Sequence, residues 1–164
     1  TFTVAVDVLT DAARNCSYAE PEEDVLRRRY ITSEIRIRLH QRGFREKVIA
    51  AYRSQCAFCK LRYGELLDAA HIIPDNEPDS LPTIDNGMAL CKLHHAAFDS
   101  FLVGVDPDFR IHVRPDVLEE EDGPMLVHGL KELHRARIIL PRVESQWPNR
   151  DYLDRRYQRF TAYA

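Results

Sequence analysis

Hydrophobic and polar positions change period several times along this chain, and each change marks an element. Phe2, Val4, Val6 and Val8 alternate with Thr1, Thr3, Ala5 and Asp7, the period of two of a strand. Pro21-Glu22-Glu23-Asp24 places proline and acids where a helix begins, predicting a helix from about residue 21 to 31. Ile35, Ile37 and Leu39 then alternate with Glu34, Arg36, Arg38 and His40, which predicts a short strand over 33–40. From Gln41 to Arg53 the spacing becomes helical, with Phe44, Val48, Ile49 and Tyr52 on one side.

Leu66, Leu67, Ala69, Ala70, Ile72 and Ile73 surround His71 in an apolar run that reads as a strand entering the interior, closed by Pro74. After a polar, acidic loop, Asn86-Gly87 supplies turn chemistry before a second short strand, Met88-Ala89-Leu90. A helix is predicted from Lys92 to about Ser100. Residues 101–105 and 109–113 flank Asp106-Pro107-Asp108 as a hairpin with a longer loop, with His112 on its outer face. Glu119 to Pro124 reads as a loop, and Met125 to Ile139 follows neither period. Pro148 to Tyr163 closes the chain as an amphipathic helix carrying Tyr152, Leu153, Arg156, Tyr157 and Phe160. The expected class is α+β.

The 164 residues amount to one domain's worth of polymer, enough to bury about 70% of the unfolded surface. The division expected is an N-terminal helical or extended segment over 1–40, the end of a preceding domain, then a core over 41–115. An extension over 116–164 would pack its closing helix on that core. A chain opening on Thr rather than Met reads as a piece of a longer or processed protein. Hydrophobic content of 45% with 30% charged residues is that of a soluble globular protein. There is neither an 18-residue apolar run nor a basic-then-apolar start. Zinc-type cysteine spacing with one cysteine left over, Cys16, fits a reducing cytoplasm better than a disulfide scaffold.

The chemistry is concentrated between Cys56 and Asp99. Cys56-x-x-Cys59 and Cys91-x-x-His94 are two pairs with the spacing that lets two short turns present two ligands each to one tetrahedral ion. Three thiolates and an imidazole select zinc, and four protein ligands leave no position open for substrate. The site reads as structural. The 31 residues between the pairs exceed the usual zinc-ribbon spacing, so something else is built there.

That something contains His71, Asn86, His95 and Asp99. An imidazole among apolar neighbours stays neutral near pH 7, as a general base must. His95 and Asp99, spaced i, i+4, project from one helix face and can share a hard divalent cation. Each feature taken singly is more often a satisfied core histidine or a surface pair; the conjunction is what carries weight.

In order, C-x-x-C, Ala70-His71-Ile72, Asn86-Gly87-x-x-Leu90-Cys91 and His94-His95-x-x-Phe98-Asp99 resemble the HNH endonucleases of the ββα-metal superfamily. The resemblance covers residues 41–115. It implies a zinc-stabilised ββα-metal core with flanking helices and a hairpin. His71 would be the general base, Asn86 the residue that orients it and ties down the loop, and His95 a ligand of the catalytic metal. His94 stands where many relatives carry the last zinc cysteine. Many members also place a metal ligand immediately before the base, where this chain has Ala70. Asp99 is then the favoured carboxylate, with Asp68 as the weaker candidate.

Net charge is −3, yet from Arg27 to Arg62 there are 11 Lys and Arg against two acids, Glu34 and Glu46. Acids pool elsewhere, at Asp75, Glu77, Asp79 and Asp85 and from Glu119 to Asp122. A basic face beside an acidic body is the footprint of a phosphate-backbone partner; the resemblance implies that this partner is DNA, double-stranded, held by 27–62.

The resemblance implies one catalytic divalent cation, Mg²⁺ or alternatively Mn²⁺ or Ni²⁺, beside the structural Zn²⁺. It also implies DNA hydrolysis to 5′-phosphate and 3′-hydroxyl ends, with an arginine among Arg42, Arg45 and Arg62 adding charge stabilisation. Its restriction-type members imply defence against foreign or modified DNA, with a separate recognition domain. Oligomeric state stays open, a dimer included. The alternatives are a zinc-stabilised DNA-binding module without catalysis and a zinc scaffold for a partner surface.

Overall fold

The computed structural model describes residues 30–31, 40–121 and 123–163. The chain divides into two units, Thr1–Arg38 and Leu39–Ala164. In the first, Tyr30 and Ile31 are helical and exposed. The strand expected over 1–8 and most of the helix expected over 21–31 lie outside the described residues. So does the strand expected over 33–40, except for His40, and that residue is helical. The alternation of Ile35, Ile37 and Leu39 therefore does not carry through to His40, which joins the helical period that follows.

That helix, α1, spans 40–51. Phe44, Val48 and Tyr52, one turn apart, are its buried stripe. It ends where Arg53 and Ser54 turn left-handed, at φ 57° and 51°, with the Ser54 N–H closing back on the Ile49 carbonyl at 2.9 Å. The Cys56–Lys60 knuckle follows, its own turn completed by a left-handed Lys60 (φ 65°) and a 3.0 Å bond from Lys60 N to Cys56 O.

Strands β1 (Leu67–His71) and β2 (Gly87–Cys91) form an antiparallel pair in register Leu67↔Cys91 through His71↔Gly87. Helix α2 (Lys92–Asp99) leaves β2 without a break. Together they make the ββα unit, and α1 lies across it. Gly87 is needed for that approach, because a Cβ there would sit 2.6 Å from Val48 and 2.8 Å from Phe44. The pairing sets His71 opposite Gly87, beneath Phe44.

A second antiparallel pair, β3 (Val103–Val105) and β4 (Ile111–Val113), forms the hairpin. Asp106 shapes its loop by accepting from the Asp108 and Arg110 N–H groups, both at 2.9 Å. His112, expected to face outward, is only partly exposed; its Nε2 lies 2.8 Å from Asp106 Oδ2.

Helix α3 (Pro115–Glu119) follows the hairpin, and the segment without a clear period resolves into short pieces, α4 (Pro124–Gly129) and a 3-10 turn, Lys131–Leu133. Glu119 and Pro124, read as loop, are thus helix ends. Residues 135–138 then run along β4, with Ile111 N to Ala136 O at 2.8 Å and Arg135 N to Ile111 O at 2.7 Å. Helix α5 (Arg150–Tyr163) closes the chain. Asn149 caps it, accepting from Asp151 N at 2.9 Å. Leu153 and Phe160 are buried, and Phe160 packs so closely on Gly104 that a Cβ there would come within 2.6 Å. Among the described residues no helix is long and apolar enough to cross a membrane.

Candidate active site

Adjacent residues on α2 serve two different sites. Successive residues of a helix project about 100° apart, so His94 turns inward, 2% exposed, while His95 turns toward a cleft.

On the inner side, one ligand atom each from Cys56, Cys59, Cys91 and His94 lies within 4.8 Å of all the others. A tetrahedral ion with metal–sulfur bonds of about 2.3 Å sets its ligands about 3.8 Å apart, so the cluster is compatible with zinc. His94 Nδ1 faces the sulfurs, 3.4 Å from Cys56 and 3.2 Å from Cys91. Its Nε2 lies 2.7 Å from the Gly129 carbonyl, which fixes the tautomer that leaves Nδ1 free to ligate. Contacts with Cys56 and then Cys59 push the Cys91 thiol well down, while those with Cys56 and Cys91 push Cys59 up. Among the described residues this is the only such cluster of three or more potential ligands.

The site is also a junction. Ala57 N donates to Ala89 O at 2.7 Å, pinning the knuckle to β2, and Ile139 N donates to Ala57 O at 2.8 Å, pinning the C-terminal segment to the knuckle.

On the outer side, His71 and His95 line the same two hollows. One, of about 290 Å³, is bounded also by Pro74, Asp75, Asp99, Phe101 and Arg156. The other, of about 250 Å³, is bounded also by Phe44, Arg45, Asp68 and Asp75. His71 stacks on Phe44 with ring centroids 4.0 Å apart and planes 13° off parallel. Its Nε2 is enclosed without a hydrogen-bond partner among the described residues. Burial pushes its pKa below the usual histidine value, against a smaller upward pull from Asp75, so the ring is neutral at pH 7.

Asn86 is fully buried and acts on the loop rather than on the ring. Its Oδ1 accepts from Ile73 N at 2.8 Å, and its Nδ2 donates to Leu81 O at 2.9 Å and to Ile73 O and Ser80 Oγ at 3.3 Å. Its own carbonyl accepts from Ile72 N at 2.9 Å. Both residues after His71 are thereby tied to Asn86, Ile72 through its N–H and Ile73 through its N–H and carbonyl.

His95 divides its two nitrogens between two carboxylates. Nε2 lies 3.2 Å from Asp99 Oδ2, and Nδ1 lies 3.8 Å from Asp68 Oδ2. The ring nitrogens diverge, so the Nε2 lone pair can share an ion with Asp99 but not also with Asp68. The 3.2 Å separation is close to the edge of about 3.0 Å expected between neighbouring ligands of an octahedral Mg²⁺ at about 2.1 Å. Asp68 is already engaged by Lys92 at 3.1 Å and Arg45 at 3.6 Å. The donor set fits a small divalent cation on the Asp99 side.

Residues 56–106 match the family model described as HNH endonuclease. That stretch is similar to the HNH endonucleases. The match spans both knuckles, β1, β2, α2 and β3 and leaves out α1, α4 and α5. No curated protein matches the chain. Among solved structures the chain is similar to one titled "Modification dependent TagI restriction endonuclease", at 16% identity and a TM-score of 0.49, over 71% of this chain and 37% of that one. The chain therefore spans well under half the length of that protein.

Three residues around the cleft escaped the sequence reading. Asp75 borders both hollows, Phe101 borders one, and Arg156 reaches in from α5. For Arg156 a signal existed, since it shares the apolar stripe of Leu153 and Phe160. Of the three arginines considered from sequence, Arg45 borders the cleft, Arg42 pairs with Glu46, and Arg62 donates to Gln55. The acidic loop has a role beyond spanning the strands, for Glu77 is gripped by Arg155 and Arg159 of α5.

Proposed function

We propose that this chain is a metal-dependent endonuclease that hydrolyses DNA phosphodiester bonds at the cleft between β1 and α2. The observation that carries this reading is that the neutral His71 ring, whose Nε2 has no hydrogen-bond partner among the described residues, lines the same hollow as the His95–Asp99 pair. A structural or partner-binding zinc module has no use for a proton acceptor placed opposite a potential cation site.

His71 takes a proton from a water that attacks phosphorus in line with the 3′ oxygen. The new bond is water oxygen to phosphorus and the bond broken is phosphorus to O3′, giving 5′-phosphate and 3′-hydroxyl ends. Asn86 keeps β1 and the following loop in place, so that the ring stays aimed. His95 and Asp99 hold the divalent cation, Mg²⁺ or another of similar size, and Asp68 stays with Lys92 and Arg45. Once bound, such a cation supplies charge stabilisation to the pentavalent transition state and to the leaving oxygen.

Of the described part of the basic region, Arg45 borders the cleft and is the residue placed to meet DNA there; Lys47 and Arg53, joined by Arg142, line a separate groove of about 440 Å³. Restriction of foreign or modified DNA is the role this reading favours.

A plasmid-nicking assay tests the proposal. Cleavage is expected to depend on added divalent cation after zinc is loaded, to stop with chelator, and to be lost in His71→Ala. Salt-sensitive DNA binding without cleavage under any divalent cation would instead identify a binding module.

A further inference from the structure

The C-terminal helix lies outside the HNH-matched segment, yet one of its side chains reaches both halves of the cleft. Arg156 is 6% exposed. Its Nη1 donates to the Ile72 carbonyl at 3.2 Å, next to His71 at the end of β1. Its Nη2 donates to the Phe98 carbonyl at 2.9 Å and to Asp99 Oδ1 at 3.3 Å, at the end of α2. The guanidinium lies over the Phe98 ring at 3.9 Å and near the Phe101 ring at 5.0 Å. The same residue borders the hollow shared by His71 and His95.

A packing role alone does not account for this. Leucine or methionine would fill the stripe between Leu153 and Phe160 without desolvating a charge. Here a guanidinium is buried with its Nε–H lacking any acceptor among the described residues, a cost a purely structural position would avoid. The geometry of Asp99 shows what the charge does. Oδ1 is taken by Arg156, and Oδ2 is left facing His95 Nε2. The carboxylate is thus turned so that one oxygen meets Arg156 and the other is offered to an ion shared with His95. The planar fork of arginine matches this task and an ammonium does not.

We infer that Arg156 is a positioning residue of the cation site, orienting Asp99 toward His95 while tying the strand of His71 to the helix of His95, so that α5 completes the active site. The inference rests on the function proposed above. It assigns to a residue outside the matched segment the part of an outer-shell ligand partner, whose loss commonly weakens metal binding 10–100-fold.

The test is Mn²⁺ binding followed by electron paramagnetic resonance on the zinc-loaded chain, for wild type, Arg156→Met, Arg156→Gln and Arg156→Lys. Zinc content and circular dichroism are measured in parallel. Arg156→Met is expected to keep stoichiometric zinc while losing Mn²⁺ affinity by roughly 10–100-fold, with Arg156→Lys recovering part of it. Wild-type affinity in a folded Arg156→Met overturns the inference alone. Absence of Mn²⁺ uptake by wild type beyond its zinc overturns the function reading instead. If Arg156→Met does not fold, Arg156→Gln and Arg156→Lys give the same comparison. Loss of folding in all three variants would make Arg156 a structural residue and overturn the inference.

Discussion

Two corners of one small unit use similar side chains to opposite ends. At the Cys–His corner His94 is committed on both sides, with a sulfur pair on one nitrogen and the Gly129 carbonyl on the other. At the cleft corner, the enclosed Nε2 of His71 has no hydrogen bond among the described residues, and His95 is divided between two carboxylates. Satisfied groups build rigidity, and groups left unsatisfied at the edge of a hollow are free to meet a substrate. The rigid corner determines where the reactive one sits, because the same helix carries His94 into the cluster and His95 into the cleft.

The largest effect that separates the corners is loss of a zinc ligand. Structural zinc supplies about 10–16 kcal/mol in small domains, comparable with the entire stability of about 5–15 kcal/mol of a typical domain. Cys59→Ala, or stripping the ion with a strong chelator, is expected to abolish cooperative folding of the 39–164 unit. A thermal melt by circular dichroism with metal analysis measures this. His71→Ala is expected to melt as wild type does, within the about 0.5–1.5 kcal/mol that its stacking on Phe44 is worth. Nicking should nevertheless fall about 100- to 10,000-fold. If both variants melt alike, the division between corners is wrong.

Next in size is Asn86→Ala, which blurs the comparison from the middle. It strips the Ile73 N–H of its acceptor in a fully buried place, a loss of about 1–3 kcal/mol. The loop between β1 and β2 should loosen and exchange its amide hydrogens faster, with activity falling because the ring of His71 is no longer aimed. Zinc should stay bound, because none of the four ligands touches Asn86. Hydrogen exchange confined to 72–86 is the signature; exchange spreading through the knuckle would count against it.

What could be read from the sequence follows the range of the interactions. The knuckles, the ββα order and α1 rest on spacings of two to four residues, so period and motif revealed them. The hairpin was legible because Asp106-Pro107-Asp108 is local turn chemistry. By contrast, the Gly129 carbonyl on His94 and the Ile139 bond to Ala57 join residues 35 and 82 positions apart. Arg156 meets Ile72 across 84 positions. Nothing local marks such pairs, and a charged residue in an amphipathic helix is usually solvated. Its place on the stripe of Leu153 and Phe160 was the available clue. Asn86 shows the reverse limit: its identity could be read, but its attachment to Ile73, Ser80 and Leu81 rather than to His71 depends on how the loop folds back.

A smaller effect distinguishes the two carboxylates of His95. Asp99→Asn is expected to weaken Mn²⁺ binding and nicking together. Asp68→Asn should leave the Nε2 side untouched and change activity only a few-fold, through the lost pairing with Lys92 and Arg45. Equal losses in the two variants would mean that the ring turns over when the ion binds.

The smallest and most specific effect is on pH. Burial holds the His71 pKa below the ordinary value of 6.5, while Asp75 pulls it upward. A base must be unprotonated, so nicking should rise with pH through an acid limb lying below 6.5 and be flat above it. A bound divalent cation acts in the same direction as burial. Stability follows the same sign. The folded state binds this proton less readily than the unfolded chain, so the contribution is complete above 6.5 and is lost as pH falls through the folded pKa. Removing the opposing charge with Asp75→Asn should move the limb to still lower pH without altering the plateau, and a pH–rate profile reads both. Asp75 borders both hollows, so a lowered plateau with an unmoved limb would instead make it a contact for cation or substrate. Either result sharpens the contrast between the corners, since it places a titratable group at the cleft and assigns it a role there.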